Sequence, residues 1–92
     1  MSIYYTIREN VITRKTESLI ILYDIEVSLI KLLNKTGSFI WLKLDNKLTF
    51  NQILDLLIKK YPNAPEADLA KDLRKFINSL IKLNLIVKSD KP

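Results

Sequence analysis

Cysteine and histidine, which supply most nucleophiles, general bases and metal ligands in proteins, do not occur in this chain of 92 residues. Disulfides, thiolate chemistry and imidazole catalysis are thereby excluded, together with the commonest zinc sites. Carboxylates and lysines remain, but no two Asp or Glu residues share an apolar surround that would drive their pKa values apart, as an acid–base pair requires. The groups that stand out are suited to binding. Val27, Ser28, Leu29, Ile30, Lys31, Leu32 and Leu33 form a nearly unbroken apolar run. A strand with one solvated face should carry polar residues at every second position. A second face of this run therefore needs cover, either from the same domain, such as the N-terminal arm, or from a bound peptide. Lys31 within it also serves as a guard against unwanted strand pairing. Farther on, Arg74 sits among Lys71, Asp72 and Lys75. It is read either as solvated helix surface or as a contact to an acidic group.

The net charge of +5 raises nucleic acid as a partner, so the distribution of charge decides. Lysines recur along the whole chain, from Lys31 and Lys35 through Lys59 and Lys60 to Lys88 and Lys91, with Asp and Glu scattered among them. No dense basic tract forms, and a soluble surface accounts for the pattern. With 48% apolar residues, the chain reads as a single domain spanning residues 1–92, at the size where one core suffices. Its apolar runs fall far short of the roughly 20 residues that cross a bilayer, and its first residues lack the build of a secretory signal. A cytoplasmic protein without membrane, metal or cofactor is expected.

The elements that position these groups follow from pattern. Ile3 to Ile7 and Val11 to Arg14 are short β-favouring pieces around the turn-prone Arg8-Glu9-Asn10. Ser18 to Tyr23 and Val27 to Leu33 read as a hairpin turning at Asp24-Ile25-Glu26. From Asn34 the spacing becomes helical, with Asn34 or Thr36 as N-cap and Phe39, Ile40, Trp41 and Leu44 on one face. Thr49-Phe50-Asn51-Gln52 is a capping box that opens a second helix running to about Tyr61, where Pro62 stops it. Pro65 is expected as the first residue of a third, long helix, with Glu66 and Asp68 in its first turn. Leu69, Leu73, Phe76, Leu80 and Leu83 make its apolar ridge, with Ala70, Ile77 and Ile81 alongside. Leu85 to Val87 is a short β-favouring piece, and Lys88 to Pro92 is expected to be frayed. This is an α+β class of fold: an N-terminal antiparallel sheet of about three strands and then three helices, compatible with a winged helix-turn-helix.

The stretch Leu33-Asn34-Lys35-Thr36-Gly37-Ser38-Phe39-Ile40-Trp41 adds to this reading. It is followed by Thr49, Ile53, Leu57 and Tyr61 at four-residue steps, then by Asp72-Leu73, Phe76-Ile77, Leu80 and Leu83-Asn84-Leu85-Ile86. Over about residues 18 to 87 this pattern resembles the PqqD-like family of precursor-peptide recognition elements. It looks most similar to the stand-alone leader-binding subunits of lasso-peptide systems, in which an aspartate stands before the Leu-Asn pair as Asp24 does here. Those subunits commonly carry a Gly-x-Tyr where this chain has Ser28 and Ile30, and the family usually has glycine where this chain has Asn84. Asparagine tolerates the left-handed conformation that such a helix stop needs.

The resemblance implies a binder and not an enzyme. A precursor leader peptide would add as an antiparallel strand to the edge Val27 to Leu33, beside the third helix, and be presented to a leader protease or cyclase. The strand wall is then Val27, Ser28, Leu29, Ile30, Lys31 and Leu32. The helical wall is expected at Ala70, Arg74, Ile77 and Ile81. The aromatic residues Phe39, Trp41, Tyr61 and Phe76, with Leu57 and Leu80, are assigned to the core, and Asp72 to a structural bond. A homodimer through the same edge strand is compatible with this arrangement. The alternative, a winged-helix nucleic-acid-binding protein, places Glu66 and Asp68 where a recognition helix meets phosphates, which argues against it.

Overall fold

The computed structural model describes residues 3–90. Five strands and three helices follow in the order β1 (Ile3–Ile7), β2 (Val11–Lys15), β3 (Ile20–Asp24), β4 (Leu29–Leu32), α1 (Lys35–Asp45), α2 (Phe50–Lys60), α3 (Glu66–Lys82) and β5 (Ile86–Asp90). The architecture is α+β, as expected, but the strands form two sheets. β2, β3 and β4 make an antiparallel meander, whereas β1 leaves it and pairs with β5. The expectation of a frayed end is thus corrected for Lys88 to Asp90. Tyr5 lies opposite Lys88 and Thr6 opposite Val87, the Thr6 and Ser89 hydroxyls lie 3.1 Å apart, and Arg8 N–H donates to the Leu85 carbonyl at 3.0 Å. Met1, Ser2, Lys91 and Pro92 lie outside the described residues.

Each boundary has a local cause. The β2–β3 connection is closed by Thr16, whose N–H donates to the Leu19 carbonyl at 2.9 Å and whose hydroxyl accepts from the Leu19 N–H at 3.2 Å. Ser18 and Leu19 therefore belong to the turn and not to the strand. At the other end, Asp24 terminates β3, and its carboxylate accepts from the Glu26 N–H at 3.0 Å. This bond folds residues 25–28 into the hairpin turn. Ser28 sits at φ 56° and Asn84 at φ 60°, the left-handed region that a side chain normally avoids. A glycine at either place would remove that strain.

Asn34 caps α1 by accepting from the Gly37 N–H at 2.7 Å. The Thr49–Gln52 capping box opens α2 with both reciprocal bonds made. Pro65 is the N-cap of α3, one position earlier than expected, and makes no side-chain cap bond. The core lies where the helices meet the inner side of the meander. Ile20 and Leu22 of β3 pack with Ile40, Trp41 and Leu44 of α1, Ile53 and Leu57 of α2, and Leu73, Ile77 and Leu80 of α3. Two buried polar groups tie the layers together. Ser38 Oγ accepts from the Ile20 N–H at 2.8 Å, and Trp41 Nε1 donates to Thr13 Oγ1 at 3.0 Å.

Candidate functional site: a groove beside an open strand edge

β4 pairs with β3 on one side, and its other side is free among the described residues. The direction of its backbone groups follows from a single bond. Leu33 N–H donates to the Ile20 carbonyl at 2.9 Å, and amides alternate in direction along a strand. Leu29 and Lys31 therefore turn their N–H groups toward β3, while Ile30 and Leu32 turn theirs to the open edge. The side chains alternate as well. Leu22 faces the core and lies opposite Lys31, so Lys31 and Leu29 point to the helical side. Ile30, opposite Tyr23, and Leu32, opposite Ile21, point to the outer face of the sheet. There they are 66% and 64% exposed, and Ile12 of β2 shares that face at 49%. The N-terminal arm, as β1, pairs elsewhere and does not cover them.

Between the β4 edge and α3 runs a groove of about 570 Å³. Lys31, Leu32 and Leu33 form its strand side, Leu69, Asp72, Leu73 and Phe76 its helical side, and Ile40 and Leu57 line it from α1 and α2. Toward the start of α1 it is bounded by Asn34, Thr36 and Gly37, and toward the end of α2 by Tyr61 and Ala64. Tyr61 and Thr36 close that end through hydroxyls 3.2 Å apart. Gly37 has a steric role here. A Cβ on it would stand 3.2 Å from Phe76 Cε1 and 3.2 Å from Asn34 Oδ1, so the missing side chain lets the Phe76 ring lie against the first turn of α1. The groove is apolar along its length, with one cation at the strand lip and one carboxylate on the helix.

The residues expected on the strand wall divide between β4 and the turn before it. Leu29, Ile30, Lys31 and Leu32 form β4, but Val27 and Ser28 fall in the preceding turn, bent out of the strand by the left-handed Ser28. The helical wall is corrected. Ile77 is only 2% exposed and belongs to the core. Arg74 turns away from the groove: its guanidinium stands 5.1 Å from the centre of the Phe50 ring. With Tyr5, Phe50, Ile77, Asn78 and Lys88 it lines a separate recess on the β1–β5 side. Burial raises the Tyr5 phenol there, and the nearby Arg74 charge opposes that rise. Ile81 packs on the core, and half-buried Ala70 is outside the groove lining.

Expected and observed walls are both proper helical stripes. They differ by one residue, from Ala70 to Leu69, and one residue turns a helix by about 100°. Leu57, Tyr61, Asp72 and Phe76, assigned by sequence to core or structural duties, are the ones that line the groove. Their four-residue spacing was visible, but which side of α3 the short sheet would occupy was not.

The fold recurs in known proteins. The structure superposes on TbiB1 in complex with the TbiA(beta) leader peptide with a TM-score of 0.83 at 22% identity, covering 88% of this chain and 93% of that one. It superposes on a lasso peptide synthetase B1 complexed with the leader peptide with a TM-score of 0.82 at 18% identity, covering 90% and 96%. No curated protein is matched in sequence. The family model for coenzyme PQQ synthesis protein D, PqqD, matches residues 20–86, from the first residue of β3 to the first of β5, and the chain belongs to this family.

Proposed function

We propose that this protein binds the leader segment of a ribosomally synthesised precursor peptide, in lasso-peptide or related biosynthesis, and presents it to a separate leader protease or cyclase. The observation that carries the reading is the open edge of β4. Its outward amides at Ile30 and Leu32 lie beside an apolar groove long enough for alternating side chains. An antiparallel peptide strand satisfies those amides, and side chains on its inner face enter between β4 and α3, where Leu69 and Phe76 meet them. Both superposed structures hold a leader peptide. The protein holds its peptide and leaves the bond chemistry to its partner. Nucleic acid is not favoured: α3 opens with the exposed Glu66 and Asp68, which repel phosphates at the end of the helix that would meet them.

Calorimetric titration with the leader of any precursor encoded near this chain, combined with amide exchange, tests the reading. Micromolar or tighter binding is expected, and the ordering entropy that a flexible leader loses on docking keeps the affinity modest. The Ile30 and Leu32 amides should gain protection. Absence of binding, or protection confined to α2, refutes it.

A further inference from the structure

On the other side of the first turn of α1 lies a second cavity, of about 440 Å³, between the β2–β3 turn, α1 and the end of α2. Leu19, Ile20, Leu42 and Phe39 give it apolar walls, and Lys15, Lys35 and Lys60 stand around it. No carboxylate is in its lining, and Glu17, in the adjoining turn, is exposed outside it. The ammonium groups of Lys43 and Lys60 each lie 5.0 Å from the centre of the Phe39 ring. Three lysines line one recess whose lining holds no counter-charge, and an anion there lowers the electrostatic cost of that arrangement.

The kind of anion follows from the groups present. The cations are lysines, compact point charges that take carboxylate and phosphate alike, so the choice of anion rests on the other groups around the recess. Both aromatic rings of the recess that could stack a nucleobase, Phe39 and Tyr61, already have ammonium groups against them. Tyr61 lines both the cavity and the groove, and its contact with Thr36 closes the groove's end beside the cavity. β4 runs from Leu29 to Leu32 toward α1, so a strand added antiparallel to it has its earlier residues at the Leu32 end, next to Tyr61.

We propose that this basic cavity is a second peptide subsite, which takes acidic side chains lying N-terminal to the segment that adds to β4. The assignment rests on the strand-addition reading for its source of carboxylates, and the cavity itself is testable without it. Isotope-labelled full-length protein would be titrated with acetylated hexaglutamate amide at low salt, with hexathymidylate as the competing probe. Amide shifts are expected at Leu19, Ser38, Phe39 and Tyr61, abolished in Lys15→Ala/Lys60→Ala and reversed by added salt. Shifts scattered over the other lysines, or tighter binding of hexathymidylate at the same residues, overturn the proposal.

The second measurement adds three glutamates to either end of the leader used in the calorimetric titration. An N-terminal addition should tighten binding roughly five-fold at low salt, the sum expected of a few partly exposed ion pairs. A C-terminal addition should do nothing, and the N-terminal gain should vanish in Lys15→Ala/Lys60→Ala. Equal gains at both ends overturn the source. A leader that does not bind while hexaglutamate still maps to the cavity refutes strand addition, and with it the assignment of carboxylates to a leader.

Discussion

Substitution of proline for two neighbouring residues of β4 separates the ligand edge from the ladder edge. Ile30 turns its N–H to the open side, whereas Lys31 turns its own to β3, where it lies opposite Leu22. Ile30→Pro removes no bond of the meander, and Leu29 is already extended, as a residue before proline must be. Its cost to stability should stay within about 1 kcal/mol. For the leader the loss is larger. The hydrogen bond to Ile30 is worth about 1 kcal/mol net, and the peptide carbonyl left facing the proline ring adds a further penalty of about 1–2 kcal/mol. At 1.4 kcal/mol per decade the affinity falls between roughly 30- and 140-fold. Lys31→Pro instead breaks a ladder bond inside a small sheet and should destabilise the fold by about 3 kcal/mol or more. Urea unfolding followed by circular dichroism gives the first quantity, and leader titration by calorimetry the second. Leader binding by Ile30→Pro at the affinity of the unaltered protein would refute strand addition to β4. Unfolding of Ile30→Pro with retention of structure in Lys31→Pro would refute the alternation of amides derived from the Leu33–Ile20 bond.

On α3, Phe76→Ala should weaken leader binding at least ten-fold with a smaller loss of stability, since the half-buried ring borders the groove. Ile77→Ala, by contrast, should lower the unfolding free energy by about 2–4 kcal/mol, read by urea titration, with leader affinity intact wherever the chain is folded. Ser28→Gly should raise stability by up to about 1 kcal/mol by relieving the left-handed strain at the hairpin turn, seen as a higher urea midpoint. The Asp24 carboxyl is held below its usual range, first by the Asn10 side chain and, against the opposing effect of burial, by the backbone amides of Glu26 and Val27. A lowered folded pKa stabilises above the unfolded value of about 3.9 and ceases to do so as pH falls through the folded value. Melting should therefore drop on acidification below about pH 4, and Asp24→Asn should flatten that dependence.

Helices were legible from the sequence because their signals are local. The Asn34 cap, the Thr49–Gln52 box and the stop before Pro62 each depend on residues within one turn, and each is where the pattern put it. Asn84 was legible through the resemblance instead, standing where the family usually has glycine, and it does take the left-handed conformation. What escaped depended on distant partners. β1 left the meander for β5, more than seventy-five residues away, and β5, with Lys88, Ser89 and Asp90 after its first two residues, does not announce a mate. The wall of α3 was missed because its ridge is wide: Leu73 and Leu80 of the ridge do enter the core, yet Leu69 and Phe76 of the same ridge border the groove. Only the position of a four-residue strand decides between them.

That strand also resolves a conflict between readiness and safety. A free edge with apolar neighbours invites pairing with any extended chain, including another copy of this one. β4 is short, four residues, so few main-chain bonds are on offer, and Lys31 stands at its centre. In a self-paired edge two such lysines would approach one another, whereas a leader brings its own side chains to the groove, where Lys31 faces an α3 wall that includes Asp72. The main-chain bonds are the same in both pairings. Discrimination then falls to the side chains between β4 and α3, so affinity should come from the strand edge, and the choice of partner from Lys31, Leu69, Asp72 and Phe76.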